Sequence, residues 1–110
     1  MQDKWTALET EVDRIITENA AAFTSEAVAQ VRNFLPVIRS RCSIPGVAAG
    51  YWRKSLRVFW TTVVPSLEIE IFGDRFEVYQ FRDHHTDIRH IEHVPGHPLP
   101  AELIAALPTL

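Results

Sequence analysis

The sequence predicts an α+β domain: two antiparallel N-terminal helices packed on one face of a four- to five-stranded antiparallel β-meander, with a short C-terminal helix. Three observations carry this. Apolar residues recur at helical spacing in the first third of the chain. The period changes to two after Ser43-Ile44-Pro45-Gly46. Two tight turns then place one set of apolar side chains on a single sheet face.

Trp5, Leu8, Val12, Ile15, Ile16 and Phe23 form the first stripe, predicting a helix over residues 4–22. Thr6 to Glu9 has the spacing of a capping box, and Asp3 is an equally good cap. Thr24-Ser25-Glu26 offers the second cap, with a carboxylate in the first turn. Val28, Val31, Phe34, Leu35 and Ile38 follow as a second stripe. Pro36 lacks a backbone donor and disfavours helix at Leu35. The second helix therefore ends near Phe34 or kinks and runs on to Arg41. The short connection predicts an antiparallel pair.

Val47–Trp52 is a candidate short strand, with Arg53-Lys54-Ser55 as its turn. Leu56–Val64 is rich in β-branched and aromatic residues and reads as a strand. Pro65-Ser66 turns the chain into Leu67–Phe72, and Gly73-Asp74 turns it into Arg75–Phe81. Arg82 to Thr86 is a polar loop before a last strand, Asp87–Val94. Pro95, Gly96, Pro98 and Pro100 end the sheet, and Ala101–Leu107 is the terminal helix. Residues 1–110 make one domain with one core.

If both tight turns hold two loop residues, Val64 opposes Leu67 and Phe72 opposes Arg75. Val58, Trp60, Thr62, Val64, Leu67, Ile69, Ile71, Phe76 and Val78 then share one face, for the helices to cover. Arg57, Phe59, Thr61, Val63, Glu68, Glu70, Phe72, Arg75, Glu77, Tyr79 and Phe81 share the other, with Phe59 opposite Phe72. Phe59, Val63, Phe72, Arg75, Tyr79 and Phe81 are the candidate interaction residues, because aromatics and arginine are enriched in interface cores. The segment Leu99–Leu110 is one candidate cover for them; a partner protein or a second copy of the chain is the other.

The formal net charge of −3 argues against a general nucleic-acid binder. Cys42 is the only cysteine, so no internal disulfide forms and no thiolate cluster holds zinc. There is no secretory signal pattern and no run of ~20 apolar residues, so the expectation is a cytoplasmic protein with no membrane association.

The chemistry-bearing residues fall in three groups. Glu70 and Glu77 face each other across a hairpin with Glu68 nearby, a pairing that needs a cation such as Arg57 or Arg75. His84, His85, His90, His93 and His97 cluster near Asp83, Asp87 and Glu92. They raise the alternative of a small metal- or histidine-dependent hydrolase, with RNA as a candidate substrate. Against it, His90 and His93 point to opposite faces of a strand, and no cysteine completes a ligand pattern. Arg39-Ser40-Arg41 and Tyr51-Trp52-Arg53-Lys54 are basic and aromatic enough for a phosphate backbone, although basic residues also suit a helix C-terminus. No nucleophile elbow, phosphate-binding glycine loop or zinc-protease motif is present. No catalytic residue, metal ligand or cofactor is assigned.

Asn33-Phe34-Leu35-Pro36, Arg57-Val58-Phe59-Trp60 and the Leu-x-Ile-x-Ile strand from Leu67 to Gly73-Asp74 give the chain a resemblance. Over Glu26 to Phe81 it resembles a group of small bacterial α+β proteins of uncharacterised function. The sequence lacks that pattern's Gly-Gly turn before the tryptophan strand and adds the histidine-rich tail. The resemblance implies an accessory bacterial protein and supplies no activity. The functional expectation is a small non-catalytic interaction module of the antitoxin, immunity, inhibitor or complex-subunit kind. It would bind a protein partner or itself through the outer sheet face.

Overall fold

The computed structural model describes residues 3–50 and 54–109. Helix α1 is Lys4–Glu18 and helix α2 is Ser25–Arg41. A five-stranded antiparallel sheet follows in the order β1-β2-β3-β4-β5: Gly46–Ala49, Leu56–Trp60, Ser66–Ile71, Arg75–Phe81 and Thr86–Glu92. Helix α3, Ala101–Ala106, closes the described chain. The architecture is the α+β arrangement expected from the sequence.

Asp3 caps α1 by accepting from the Thr6 amide at 2.8 Å. The helix stops four residues before the expected end, at Glu18, because Asn19 folds its side-chain amide onto the Ile15 carbonyl at 2.8 Å. Phe23 is nevertheless buried, from the turn rather than from the helix. Thr24 caps α2. Pro36 sits inside that helix, which runs on to Arg41. Pro36 and Arg32 are both exposed, so the carbonyl that loses its donor, four residues back, is on the water-facing side. Salt bridges from Arg32 to Asp13 and from Arg39 to Glu9 join the two helices in opposite senses of numbering, which makes the pair antiparallel.

Val12, Val31, Phe34, Ile38, Leu56, Val58, Trp60, Ile69, Ile71 and Phe76 form the centre of the core, each no more than 1 % exposed. They are the helix stripes and one parity of the strands, as the spacing predicts. Leu103 and Leu107 belong to the same cluster. Ala105 and Ala106 line a cleft with Val78, Gln80, Asp87 and Arg89, all on that parity. The C-terminal segment therefore packs on the helix side of the sheet. It does not cover the outer aromatics, contrary to one expectation; Leu103 and Leu107 finish the core beside β4 instead.

The β3–β4 register is as expected, with Glu70 opposite Glu77 and Glu68 opposite Tyr79. The β2–β3 register is not. β2 ends at Trp60, which opposes Leu67, and Phe59 opposes Glu68 rather than Phe72. Residues 61–65 form an irregular loop with a cis Val64–Pro65 peptide. The shift preserves strand parity, so the buried face of β2 is unchanged up to Trp60. The observed pairing fixes two polar groups that the expected one leaves unserved. The Trp60 indole donates to the Ser43 carbonyl at 2.8 Å, and Arg57 reaches Glu68 at 2.9 Å. Thr62 and Val64 consequently leave the core face, and Val64 is 99 % exposed. β1 is Gly46–Ala49, starting one residue before the expected Val47–Trp52 and ending at Ala49; Tyr51 and Trp52 lie outside the described residues. β5 spans Thr86–Glu92, starting one residue earlier and ending two residues earlier than expected.

A buried polar clamp ties α2 to the end of the sheet. Gln30, fully buried, donates to the His93 carbonyl at 2.9 Å, and its side-chain oxygen meets His93 Nδ1 at 2.7 Å. His93 Nε2 faces the His97 and Pro98 carbonyls at 3.0 and 3.1 Å. Gln30→Ala strips both partners from a site sealed against water. The expected result in urea unfolding is a loss of about 1–3 kcal/mol, the cost of unsatisfied buried groups. A change under ~0.5 kcal/mol, typical of surface substitutions, would show that the clamp does not hold α2 to the sheet.

Candidate functional site

The outer face of the sheet carries the candidate site. Strand alternation and the register place Arg57, Phe59, Glu68, Glu70, Glu77, Tyr79, Phe81, Ile88 and His90 on it. Among the described residues no helix lies over this face. Its centre is nonetheless buried: Glu68 is 4 %, Glu70 3 % and Glu77 9 % exposed.

Three buried carboxylates on one face require cations or donors. Glu68 takes two hydrogen bonds from Arg57, at 2.9 and 3.1 Å. Glu70 accepts from Ser55 Oγ at 2.5 Å and lies 3.1 Å from the Tyr79 hydroxyl. Glu77 lies 2.5 Å from the same hydroxyl, 3.1 Å from Arg75 Nε and 3.0 Å from His90 Nδ1. A phenol has one proton to donate. The geometry gives it to Glu77, the nearer acceptor. Tyr79 thus stands between two directly opposed carboxylates that would otherwise repel.

The electrostatics follow from this packing. Burial, the bond to Glu77 and the nearby charges of Glu70 and Glu77 push the Tyr79 phenol well above its ordinary range. For Glu77, burial is the largest influence and acts upward. The bonds from Tyr79 and Arg75 and the charges of Arg75 and His90 together outweigh it and hold the carboxyl below the usual range. The result is a satisfied ionic network. No described buried side-chain nitrogen or oxygen lacks a hydrogen-bond partner.

Two glycines make room for this face. A Cβ on Gly46 would stand 2.3 Å from the Phe59 ring, so the ring lies against bare backbone of the neighbouring strand. A Cβ on Gly50 would stand 1.8 Å from Ser55 Oγ, the group that binds Glu70.

The predicted interaction residues divide. Tyr79 and Phe81 stack with centroids 6.5 Å apart, and Phe81 is 44 % exposed. Phe59 is half-buried, with the Arg57 guanidinium 5.9 Å from its ring. Phe72 is only 9 % exposed, beneath Arg75 at 3.9 Å, and presents little surface. Val63 is misplaced by the sequence reading: it lies in the 61–65 loop and packs against the core beside Leu67, Ala106 and Pro108. Ile88, 53 % exposed and opposite Tyr79, is the apolar residue that reading missed. Extending the parity of β4 across the next hairpin identifies it.

The other candidate groups stay apart. His84 and His85 sit exposed in the β4–β5 loop, with His85 Nε2 3.3 Å from Asp87. His90 is on the outer face, His93 is inside the clamp, and His97 is exposed. Among the described residues no three His, Cys, Asp or Glu side chains converge as metal ligands. Burial pushes the Cys42 thiol up despite the charge of Arg41, which does not suit a nucleophile. Arg39 is engaged by Glu9 and Asp3, so the basic stretch loses a phosphate-binding cation. Tyr51, Trp52 and Arg53 of that stretch lie outside the described residues, and Arg41 and Lys54 are exposed. A cleft of about 340 Å³ is lined by Glu26, Lys54, Phe72, Asp74 and Arg75, a balanced set of charges. No described helix is long and apolar enough to cross a membrane. The chain matches no protein-family model, no curated protein and no solved structure.

Two substitutions test the network. Glu77's folded carboxyl is held low, so its stabilisation is present above the unfolded value near ~4.3 and disappears as pH falls through the folded value. Tyr79→Phe removes the phenol. Stability near neutral pH is expected to fall by about 1.5–3 kcal/mol, as for a hydrogen bond to a charged group, and the gap from wild type to narrow below about pH 4. A gap constant across a pH 3–7 denaturation series would contradict the assignment. Gly46→Ala displaces the Phe59 ring, with an expected cost of about 1–3 kcal/mol by thermal unfolding; no cost would mean that the ring does not rest there.

Proposed function

We propose that the protein is a small non-catalytic interaction module of the cytoplasm whose outer sheet face binds another protein or a second copy of itself. The carrying observation is the divided character of that face. Its buried centre is a satisfied network of Arg57, Glu68, Ser55, Glu70, Tyr79, Glu77 and Arg75. Its margin presents Phe81 and Ile88 to solvent, next to the half-buried Tyr79 and Phe59. Apolar and aromatic side chains beside pre-ordered polar groups suit a contact surface more than a reaction centre.

Catalysis needs a positioned acid, base or nucleophile open to a substrate. Here the carboxylates are already engaged, the phenol is held protonated and the thiol is buried. The roles that fit are those of an antitoxin, an immunity protein, an inhibitor or a subunit of a larger complex. Arg75, stacked on Phe72 and bonded to Glu77 and Asp74, serves as a fixed cation near the patch.

The test is capture from a lysate of the native host, with wild-type protein beside Phe59→Ser/Phe81→Ser. A specific protein retained by the first and released by the second is the expected result. Equal retention, or no retained protein together with an unchanged self-association, would remove the face from the account.

A further inference from the structure

The free edge of β5 is unlike the outer face, and its chemistry can be worked out from the register. Arg82 N–H donates to the His85 carbonyl at 2.9 Å, and His93 N–H donates to the Asp74 carbonyl at 3.0 Å. Between these two bonds the β4–β5 pairing runs unbroken from Arg75↔Glu92 to Phe81↔Thr86. In an antiparallel ladder, hydrogen-bonded and non-bonded pairs alternate. Asp87, Arg89 and Ile91 therefore turn their amides toward β4. Thr86, Ile88, His90 and Glu92 turn theirs outward, where the sheet ends. Of these seven residues, only Asp87 and Ile91 are not exposed. Among the described residues no strand pairs with this edge, and an unpaired edge of this length is a template for another strand.

We propose that the occupant is a second copy of this chain, pairing β5 with β5 antiparallel about a twofold axis through Ile88. The strand's own pattern selects that register. For the two sheets to continue as one, residues that face the same side must oppose each other, so the registers differ by steps of two along the strand. Centring on Asp87 opposes Asp87 to itself. Centring on His90 sets Arg89 against the partner's Ile91 and leaves its charge without a cross-strand partner, and centring on Arg89 opposes arginine to arginine. Like charges directly opposite are destabilising. Centring on Ile88 places Ile88 against the partner's Ile88, Thr86 against the partner's His90, and Asp87 against the partner's Arg89. Both charge pairs become complementary, and they fall at the non-bonded positions, where side chains come closest.

The backbone fits the same register. The outward N–H groups of Thr86, Ile88 and His90 donate to the outward carbonyls of the partner's His90, Ile88 and Thr86, which donate back, for about six hydrogen bonds across the axis. Asp87 accepts from Arg82 at 2.5 Å and Arg89 lies 4.0 Å from Glu102, so each already has an opposite charge within its own chain and the partner's charge adds to it. Pairing joins two sheets into one and sets two Tyr79–Phe81–Ile88 patches side by side on a common outer face. The inference goes beyond the face reading and does not require it: the edge takes the second copy, and the face stays free.

Sedimentation of the full chain over rising concentration is expected to show a dimer. Arg89→Asp opposes acid to acid twice and is expected to weaken it about tenfold or more. Adding Asp87→Arg to that variant restores complementarity and is expected to restore the dimer. Ile88→Cys reads the register directly. Its thiols are expected to meet across ~5.5 Å between Cα atoms and to form a covalent dimer on mild oxidation. His90→Cys is expected not to, because two such residues are separated by roughly 14 Å, beyond disulfide reach. Cys42 is 2 % exposed and does not compete. A monomer at every concentration overturns the proposal. So does cross-linking at His90 in place of Ile88. A dimer lost in Phe59→Ser/Phe81→Ser but unaffected by Arg89→Asp also overturns it, and assigns self-association to the face instead.

Discussion

β3 lies in the middle of the sheet, and Leu67, Ile69 and Ile71 commit one of its faces to complete burial. A five-stranded sheet has more apolar face than two short helices readily cover. α1 and α2 cover part of it, and α3 completes the layer with Leu103 and Leu107. This demand for cover on one side places every described helix there. The opposite face must then satisfy its own polar groups. Glu68 and Glu70 stand on β3 itself, between Ile69 and its neighbours, so the strand that anchors the core also carries the acids of the outer network.

That network explains why an outer face can be buried without a layer above it. Arg57, Tyr79 and Arg75 lay long side chains across the carboxylates and remove them from water while bonding them. The ordering this requires leaves Tyr79 held by its bond to Glu77 and Phe81 stacked against it. A surface whose side chains are already ordered loses less entropy on contact than a mobile one. Gly46 and Gly50 are part of this arrangement, since a side chain at either would displace Phe59 or Ser55.

The sequence made the strand faces legible because alternation is preserved under any even shift. The helix caps were legible for a local reason: Asp3 and Thr24 act within three residues. The β2–β3 register was not. Thr61-Thr62-Val63-Val64 has strong strand composition, and nothing local says that β2 stops at Trp60. What decides is distant: the indole bond to Ser43 and the pairing of Arg57 with Glu68. Val63 was misassigned for the same reason. The need of Glu70 and Glu77 for a counter-charge is legible in the sequence, with Arg57 and Arg75 on the same face as the cations. The role of the Tyr79 phenol between the two carboxylates is not legible, because a tyrosine on a mixed face reads as contact surface. The Gln30–His93 clamp spans 63 residues and leaves no local pattern.

The central claim is that all three helices cover one face and leave the other to its own side chains. Methyl NOEs from Leu103 and Leu107 test it most directly, because these two side chains carry the C-terminal segment into the core. The account predicts NOEs to the core side chains of β4 and β5, Val78 and Ile91, and none to the rings of Tyr79 and Phe81. Contacts from Leu103 to either ring would place α3 over the outer face and contradict it.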